Sequence, residues 1–358
     1  MGQKTKLRDL IGAIKDKASL SKAAFLSKPN TLSLQLSILR ATTHDPTNPP
    51  HDKHLTTLLS FGQSSRATAS AVIESLMDRL HHTHDSSVAL KCLITIHHII
   101  RRGSFILQDQ LCVYPTFGGR NYLKLSDFRD CTTPTTWALS SWVRWYAQYV
   151  EHLLCTSRIL GFFLCSTSGS ADKDEAEEKV AALLNKDLLK EIDSLVGIME
   201  EICKAPEFVF VEGNKLVLEV MGFVGDDYLS AINEISLRIC EFKERLSCLS
   251  FGESVELVFE LKRLEDCKER LMVVFTRTKA SVEIFWGLVR EMKDRVGMMK
   301  GYREERRLVM VGRRERASES ARFGERVLKS GDLVNFSSGR LCLDRFQFPL
   351  LESIESEI

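Results

Sequence analysis

Four side chains suited to holding phosphate fall close together in this chain: Arg40 near the end of one expected helix, and His51, Lys53 and His54 at the start of the next. His51-Asp52-Lys53-His54 follows the proline pair Pro49-Pro50, and Lys53 lies thirteen residues after Arg40. Backbone N–H groups are unpaired at a helix start. Together with Lys, Arg or His side chains they favour negative charge, so phosphate is the natural ligand. A solvated loop carries the same residue types, and on the cluster alone the solvated loop is the preferred reading.

Other chemistry finds little support. There is no Gly-x-Ser-x-Gly elbow, no Gly-x-Gly-x-x-Gly, no phosphate loop of the Walker type and no His-Glu-x-x-His, so no catalytic residues and no cofactor are expected. The tract His81-His82-Thr83-His84-Asp85 has metal-ligand types without a second ligand cluster, and reads as a solvated helix end, not a metal site. His97 and His98 sit within ALKCLITIHHIIRRG, where hydrogen-bonded, partly buried histidines are the expectation. Trp137, Trp142, Trp145, Tyr146 and Tyr149 read as interhelical packing. Arg303, Arg306, Arg307, Arg313, Arg314 and Arg316 read as a solvated helix face, and no nucleic-acid partner is inferred.

The elements that must position the cluster are helical. A chain of 358 residues with 44% hydrophobic and 27% charged side chains can bury a large core. The net charge of +1 hides an asymmetry: residues 1–120 hold 15 Lys/Arg against 8 Asp/Glu, with eight of the nine histidines. The ten cysteines lack a Cys-x-x-Cys pair and read as reduced, buried thiols of a cytoplasmic protein. No apolar run reaches the roughly 18 residues that span a bilayer, so membrane contact is expected to be peripheral. Gly2 is a weak myristoylation candidate, because position 6 is Lys6 where Ser or Thr is wanted.

Leu7, Leu10, Ile11, Ile14 and Ala18 form one apolar stripe at helical spacing, with Lys4, Lys6, Arg8, Lys15 and Lys17 largely off it. Such a basic amphipathic helix either packs on the domain or lies in a membrane interface; packing is slightly favoured, with the five basic residues as auxiliary membrane contacts in the other case. Further helices are expected at about 31–41, 53–61, 66–81, 86–101, 104–111, 135–165, 175–200, 214–249, 253–277 and 279–310. Phe208-Val209-Phe210-Val211 is the one short β-like run. An all-α array with short turns follows. Residues 1–310 are expected to form the helical domain, with its basic half to about 165 and an exposed connector at about 166–179, and residues 311–358 a loose tail.

Three blocks then carry a resemblance: ILRATTHDPTNPPHDKHL, ALKCLITIHHIIRRGSFI and YLKLSDFRDCTTPTTWALSSWVRWYAQYVEHLL. In this order and spacing they resemble the ANTH domain of plant clathrin-assembly proteins, related to ENTH domains, from about Leu7 to about Arg303. The resemblance implies a superhelical α-solenoid of stacked helices. It also implies phosphoinositide binding at the basic end and a part in building clathrin coats during endocytosis and vesicle trafficking. The family's lipid motif is Lys, nine residues, Lys, any residue, Lys or Arg, then His or Tyr. Arg40 matches the first position, His51 falls near the second after a one-residue lengthening, Lys53 is the third and His54 the last. Arg40 keeps the charge; a histidine of ordinary pKa, about 6.5, in place of lysine carries only part of one.

The tail lacks the Asn-Pro-Phe motifs of longer members; Asp332-Leu333-Val334 and Leu350-Leu351-Glu352 only faintly resemble coat-binding peptides. The resemblance therefore implies a non-enzymatic adaptor that is cytoplasmic and peripheral on coated pits and vesicles at the plasma membrane and Golgi. Its implied partners are phosphatidylinositol bisphosphate membranes, clathrin heavy chain, and adaptor complexes and SNARE proteins. The alternative is a helical scaffold that binds SNARE or other trafficking proteins without lipid.

Overall fold

Side-chain caps mark where the helices begin. Ser65, Asp85, Ser104, Thr133, Asn214 and Ser250 each accept a backbone N–H from the first turn of the helix that follows, the groups that would otherwise be orphaned there. In this computed structural model the described residues are 2–27, 29–63, 65–114, 123–166, 173–207, 211, 213–275 and 282–298. They form α1 (Gly2–Leu26), α2 (Pro29–Ala41), α3 (Asp52–Phe61), α4 (Arg66–His82), α5 (Ser86–Arg102), α6 (Phe105–Val113) and α7 (Pro134–Leu160). There follow α8 (Lys173–Ala181), α9 (Asn185–Cys203), α10 (Lys215–Glu244), a 3₁₀ turn (Leu246–Cys248), α11 (Phe251–Val274) and a helix at 282–298, here α12. Among the described residues there is no strand, and the fold is all-α.

The chain divides into two compact units, Met1–Glu305 and Arg306–Ile358. Every helix above belongs to the first. The arginine run from 303, the tail from 311 and residues 208–210 of the β-like run lie outside the described residues.

Within the first unit α5 is the spine. All its residues from Ser86 to Ile100 are buried, because α2, α3, α4, α6, α7 and α10 pack around it. α7 continues the stack onto α9, which packs on α10 and α11. Trp142, Trp145, Tyr146 and Tyr149 are buried between these layers, as interhelical packing requires; Trp137 is half exposed. Many of the polar residues inside are paired. His97 Nδ1 lies 2.8 Å from the Tyr146 hydroxyl and Nε2 lies 3.1 Å from Asp227, whose carboxylate also accepts from the Tyr149 hydroxyl at 2.8 Å. Arg238 is buried with Glu191 and Glu234 at 2.7 and 2.6 Å. Such pairing is what makes buried polar groups tolerable.

Three expectations change. The helix expected at 175–200 is two, α8 and α9, and α8 begins at Lys173, inside the stretch of about 166–179 read as an exposed connector. The break is stabilised from outside, since the Arg245 guanidinium of the turn after α10 donates to the carbonyls of Ala181 and Leu183 at 2.7 and 2.6 Å and so satisfies a helix end. Of the nine described cysteines only Cys92 and Cys267 are buried, while Cys131, Cys155, Cys240 and Cys248 are exposed.

The third concerns α1. Gly12, Asp16 and Ala23, at helical spacing, face the protein. A Cβ on Gly12 would lie 3.0 Å from His44 Cβ, so the missing side chain permits the close approach. Asp16 then holds His44 through its backbone N–H at 3.0 Å and Nδ1 at 2.6 Å. The apolar stripe points elsewhere: Leu10, Ile11 and Ile14 are 58, 45 and 57% exposed and Ala18 is exposed. That overturns the slight preference for packing by the stripe. Contact with a polar pair outcompetes it because only the glycine face fits against the loop after α2.

Candidate functional site: a basic patch between α2 and α3

Arg40 lies in the last turn of α2, where a cation also complements the helix dipole, and is exposed. Eleven residues after Ala41 ends α2, α3 begins at Asp52 with His51 as its N-cap: Nδ1 of the ring accepts the Lys53 backbone N–H at 3.2 Å. Nε2 is the ring nitrogen left to donate outward. Lys53 is exposed and His54 half-buried, with the two imidazole centroids 5.9 Å apart. Burial pushes the His54 imidazole below its ordinary pKa, and the charges of Arg40, His51 and Lys53 push it further down. All four residues picked out in the sequence are therefore brought together, and their mutual repulsion is felt at His54.

The loop bearing the patch is braced from several sides. Thr42 donates to the Ile38 carbonyl at 2.7 Å, Arg79 donates to the Thr42 carbonyl at 3.2 Å, and the buried Lys91 ammonium donates to Thr43 Oγ1 at 2.9 Å. His44 is held by Asp16 of α1. Asp45 accepts from the Thr47 N–H and Asn48 Nδ2, each at 2.9 Å, and Lys215 of α10 donates to Asn48 Oδ1 at 3.2 Å. Pro50, Leu55 and Leu58 are buried beneath. The phosphate-compatible groups thus sit on a preformed surface, which lowers the ordering cost of binding.

Of the auxiliary residues, Lys15 and Lys17 are exposed on α1, while the side chains of Lys4, Lys6 and Arg8 lie outside the described residues. Two neighbours escaped the sequence reading. Arg102, ending α5, reaches Asp52 with both terminal nitrogens at 3.2 Å, and Lys215 stands at the loop as above. The Arg101-Arg102 doublet was visible, but a contact across fifty residues has no local signal. Elsewhere, among the described residues, no three His, Cys, Asp or Glu side chains gather as metal ligands, and no helix is long and apolar enough to cross a membrane.

A braced, solvent-facing cationic patch on an all-α stack defines the class: a helical module whose surface suits a polyanion. The family model of the ANTH domain matches residues 33–280, which include the whole patch. Among curated relatives, "Putative clathrin assembly protein At4g40080" of Arabidopsis thaliana is 55% identical over 98% of both chains. From the same organism, "Putative clathrin assembly protein At5g10410" is 32% identical over 79% of this chain and 84% of its own. "Putative clathrin assembly protein At5g65370" is 33% identical over 81% and 99%. The chain belongs to the ANTH-domain family.

Proposed function

We propose that this protein is a peripheral membrane adaptor that holds phosphoinositide headgroups at Arg40, His51, Lys53 and His54 and promotes clathrin coat assembly in endocytosis and vesicle trafficking. The observation that carries the lipid reading is the convergence of the four groups on one braced surface, where each supplies charge or a hydrogen bond to phosphate oxygens. At about 1 kcal/mol per basic residue near an anionic surface, four such groups hold a membrane only modestly. The exposed Leu10, Ile11 and Ile14 beside Lys15 and Lys17 supply a second anchor, an amphipathic face of the kind that lies in the interface. The clathrin role rests on family membership and on the names of the relatives, and clathrin heavy chain is the partner it implies; adaptor complexes are further candidates. In this reading the protein works by binding, with no catalytic residues, on coated pits and vesicles of the plasma membrane and Golgi.

A second reading is a scaffold that binds a SNARE or another trafficking helix without lipid. One observation favours it: Phe251, Val255 and Phe259, at four-residue spacing on α11, are all exposed and form a stripe suited to a partner helix. Cosedimentation with phosphatidylcholine vesicles carrying each phosphoinositide in turn separates the two. Adaptor function requires pelleting above a phosphatidylserine control; a protein that ignores all the lipids yet captures a vesicle SNARE supports the scaffold.

A further inference from the structure

Arg102 lies against the middle of the patch. Its two terminal nitrogens each stand 3.2 Å from Oδ1 of Asp52, the residue between His51 and Lys53. The pair is open to solvent, with side-chain exposures of 39% for Arg102 and 72% for Asp52, and such ion pairs contribute little net stability. A second contact aims the guanidinium independently: Nη2 donates to His98 Nδ1 at 2.9 Å. Burial pushes the His98 imidazole down to about 3, helped by the charges of Arg102, His97 and Arg101, so the ring stays a neutral acceptor at physiological pH. On its far side His98 Nε2 is 3.9 Å from Glu219 of α10. Asp52, His98 and Glu219 are thus the groups from α3, α5 and α10 that face this arginine, and only the first stands between it and the patch.

We propose that Arg102 is a fifth headgroup ligand held in reserve by Asp52, and that an inositol phosphate displaces this carboxylate and takes the guanidinium. The inference rests on the headgroup reading above. A phosphate monoester carries about −1.5 to −2 charge against −1 for the carboxylate, and its oxygens accept the forked guanidinium in the same geometry. The hydrogen bond to His98 survives the exchange, so Arg102 remains aimed at the ligand. Asp52 therefore acts as a brake: it neutralises one cation of the patch until a polyphosphate of higher charge arrives, which favours inositol bisphosphates over a monovalent anionic lipid.

The test is a double-mutant cycle on the full chain with phosphatidylcholine vesicles containing phosphatidylinositol bisphosphate, with phosphatidylserine vesicles as control, repeated by calorimetry with soluble inositol trisphosphate. Arg102→Gln is expected to bind about fivefold more weakly in both formats. Asp52→Asn is expected to bind about tenfold more tightly, a gain that falls to about threefold in the Arg102→Gln background, where only general repulsion is relieved. Wild-type affinity in Arg102→Gln, or an equal Asp52→Asn gain in both backgrounds, overturns the proposal. An Arg102 dependence confined to vesicles also overturns it, since the residue would then meet the general surface and not the headgroup. Wild-type protein that binds both vesicle types alike removes the headgroup reading itself and this inference with it. Both side chains are exposed, and unchanged thermal melting confirms that the variants are folded.

Discussion

Two histidine-centred clusters in this protein behave oppositely. At the patch, His51 and His54 stand with Arg40 and Lys53 at the surface, where cations outnumber carboxylates and His54 is held below its ordinary pKa. In the core, His97 joins Tyr146, Tyr149 and Asp227 with no exposed surface, and each residue meets a complement from another helix. The first is an excess of like charge supported from outside by its braced loop; the second pairs its residues with one another and ties α5, α7 and α10 together. An exposed cluster of like charges on a rigid support is suited to a ligand, whereas a buried, internally paired one is a structural joint.

The comparison breaks most sharply if the joint is removed. Asp227→Ala leaves His97 and Tyr149 facing a cavity without their carboxylate. It is expected to cost about 3–5 kcal/mol of stability in denaturant unfolding, with vesicle binding by the remaining folded protein unchanged. The converse change acts on binding alone: Arg40→Glu with Lys53→Glu removes two cations and adds two anions, about 2–4 kcal/mol of surface attraction. Loss of pelleting with an unaltered melting curve is expected; wild-type pelleting by this variant rejects the patch as the headgroup site.

A smaller effect sharpens the role of α1. Ile11→Ser with Ile14→Ser should weaken vesicle association about tenfold without lowering the melting temperature, since both side chains are exposed. A clear drop in melting temperature instead would mean that the stripe packs in solution. Deleting residues 1–20, by contrast, also removes Asp16 from His44, and is expected to lower both binding and stability.

The smallest expected effect is pH-dependent. In the free protein the His54 imidazole titrates below its ordinary value; bound phosphate stabilises the charged form and raises it. Binding therefore takes up a proton, and affinity should rise several-fold as pH falls through the ligand-bound pKa, levelling off below the free one. The effect on folding has the opposite sign, because the unfolded chain protonates first, so His54 costs a little stability as pH drops below about 6.5. Phosphate itself loses charge near pH 6, so the measurement compares wild type with His54→Lys, whose charge stays constant. Identical pH profiles would remove His54 from the site.

The four patch residues, the helical spacing and the family blocks were legible in the sequence because they depend on neighbours a few positions apart: caps, apolar periodicity and a short motif between two helices. The all-α class follows from the same local terms. What the sequence left open was every choice settled by partners far along the chain. Whether the stripe on α1 or its glycine face would pack was decided by the fit of Gly12 and Asp16 to His44. That α8 and α9 are separate helices depends on Arg245 reaching back some sixty residues to their junction. Arg102 entered the patch because α5 ends beside the start of α3, a juxtaposition created by burial of the α5 spine and carrying no local signature. Local spacing determined which elements form and which residues carry charge; three-dimensional packing decided which of those charges meet, because a contact between distant segments depends on the shapes that close around it.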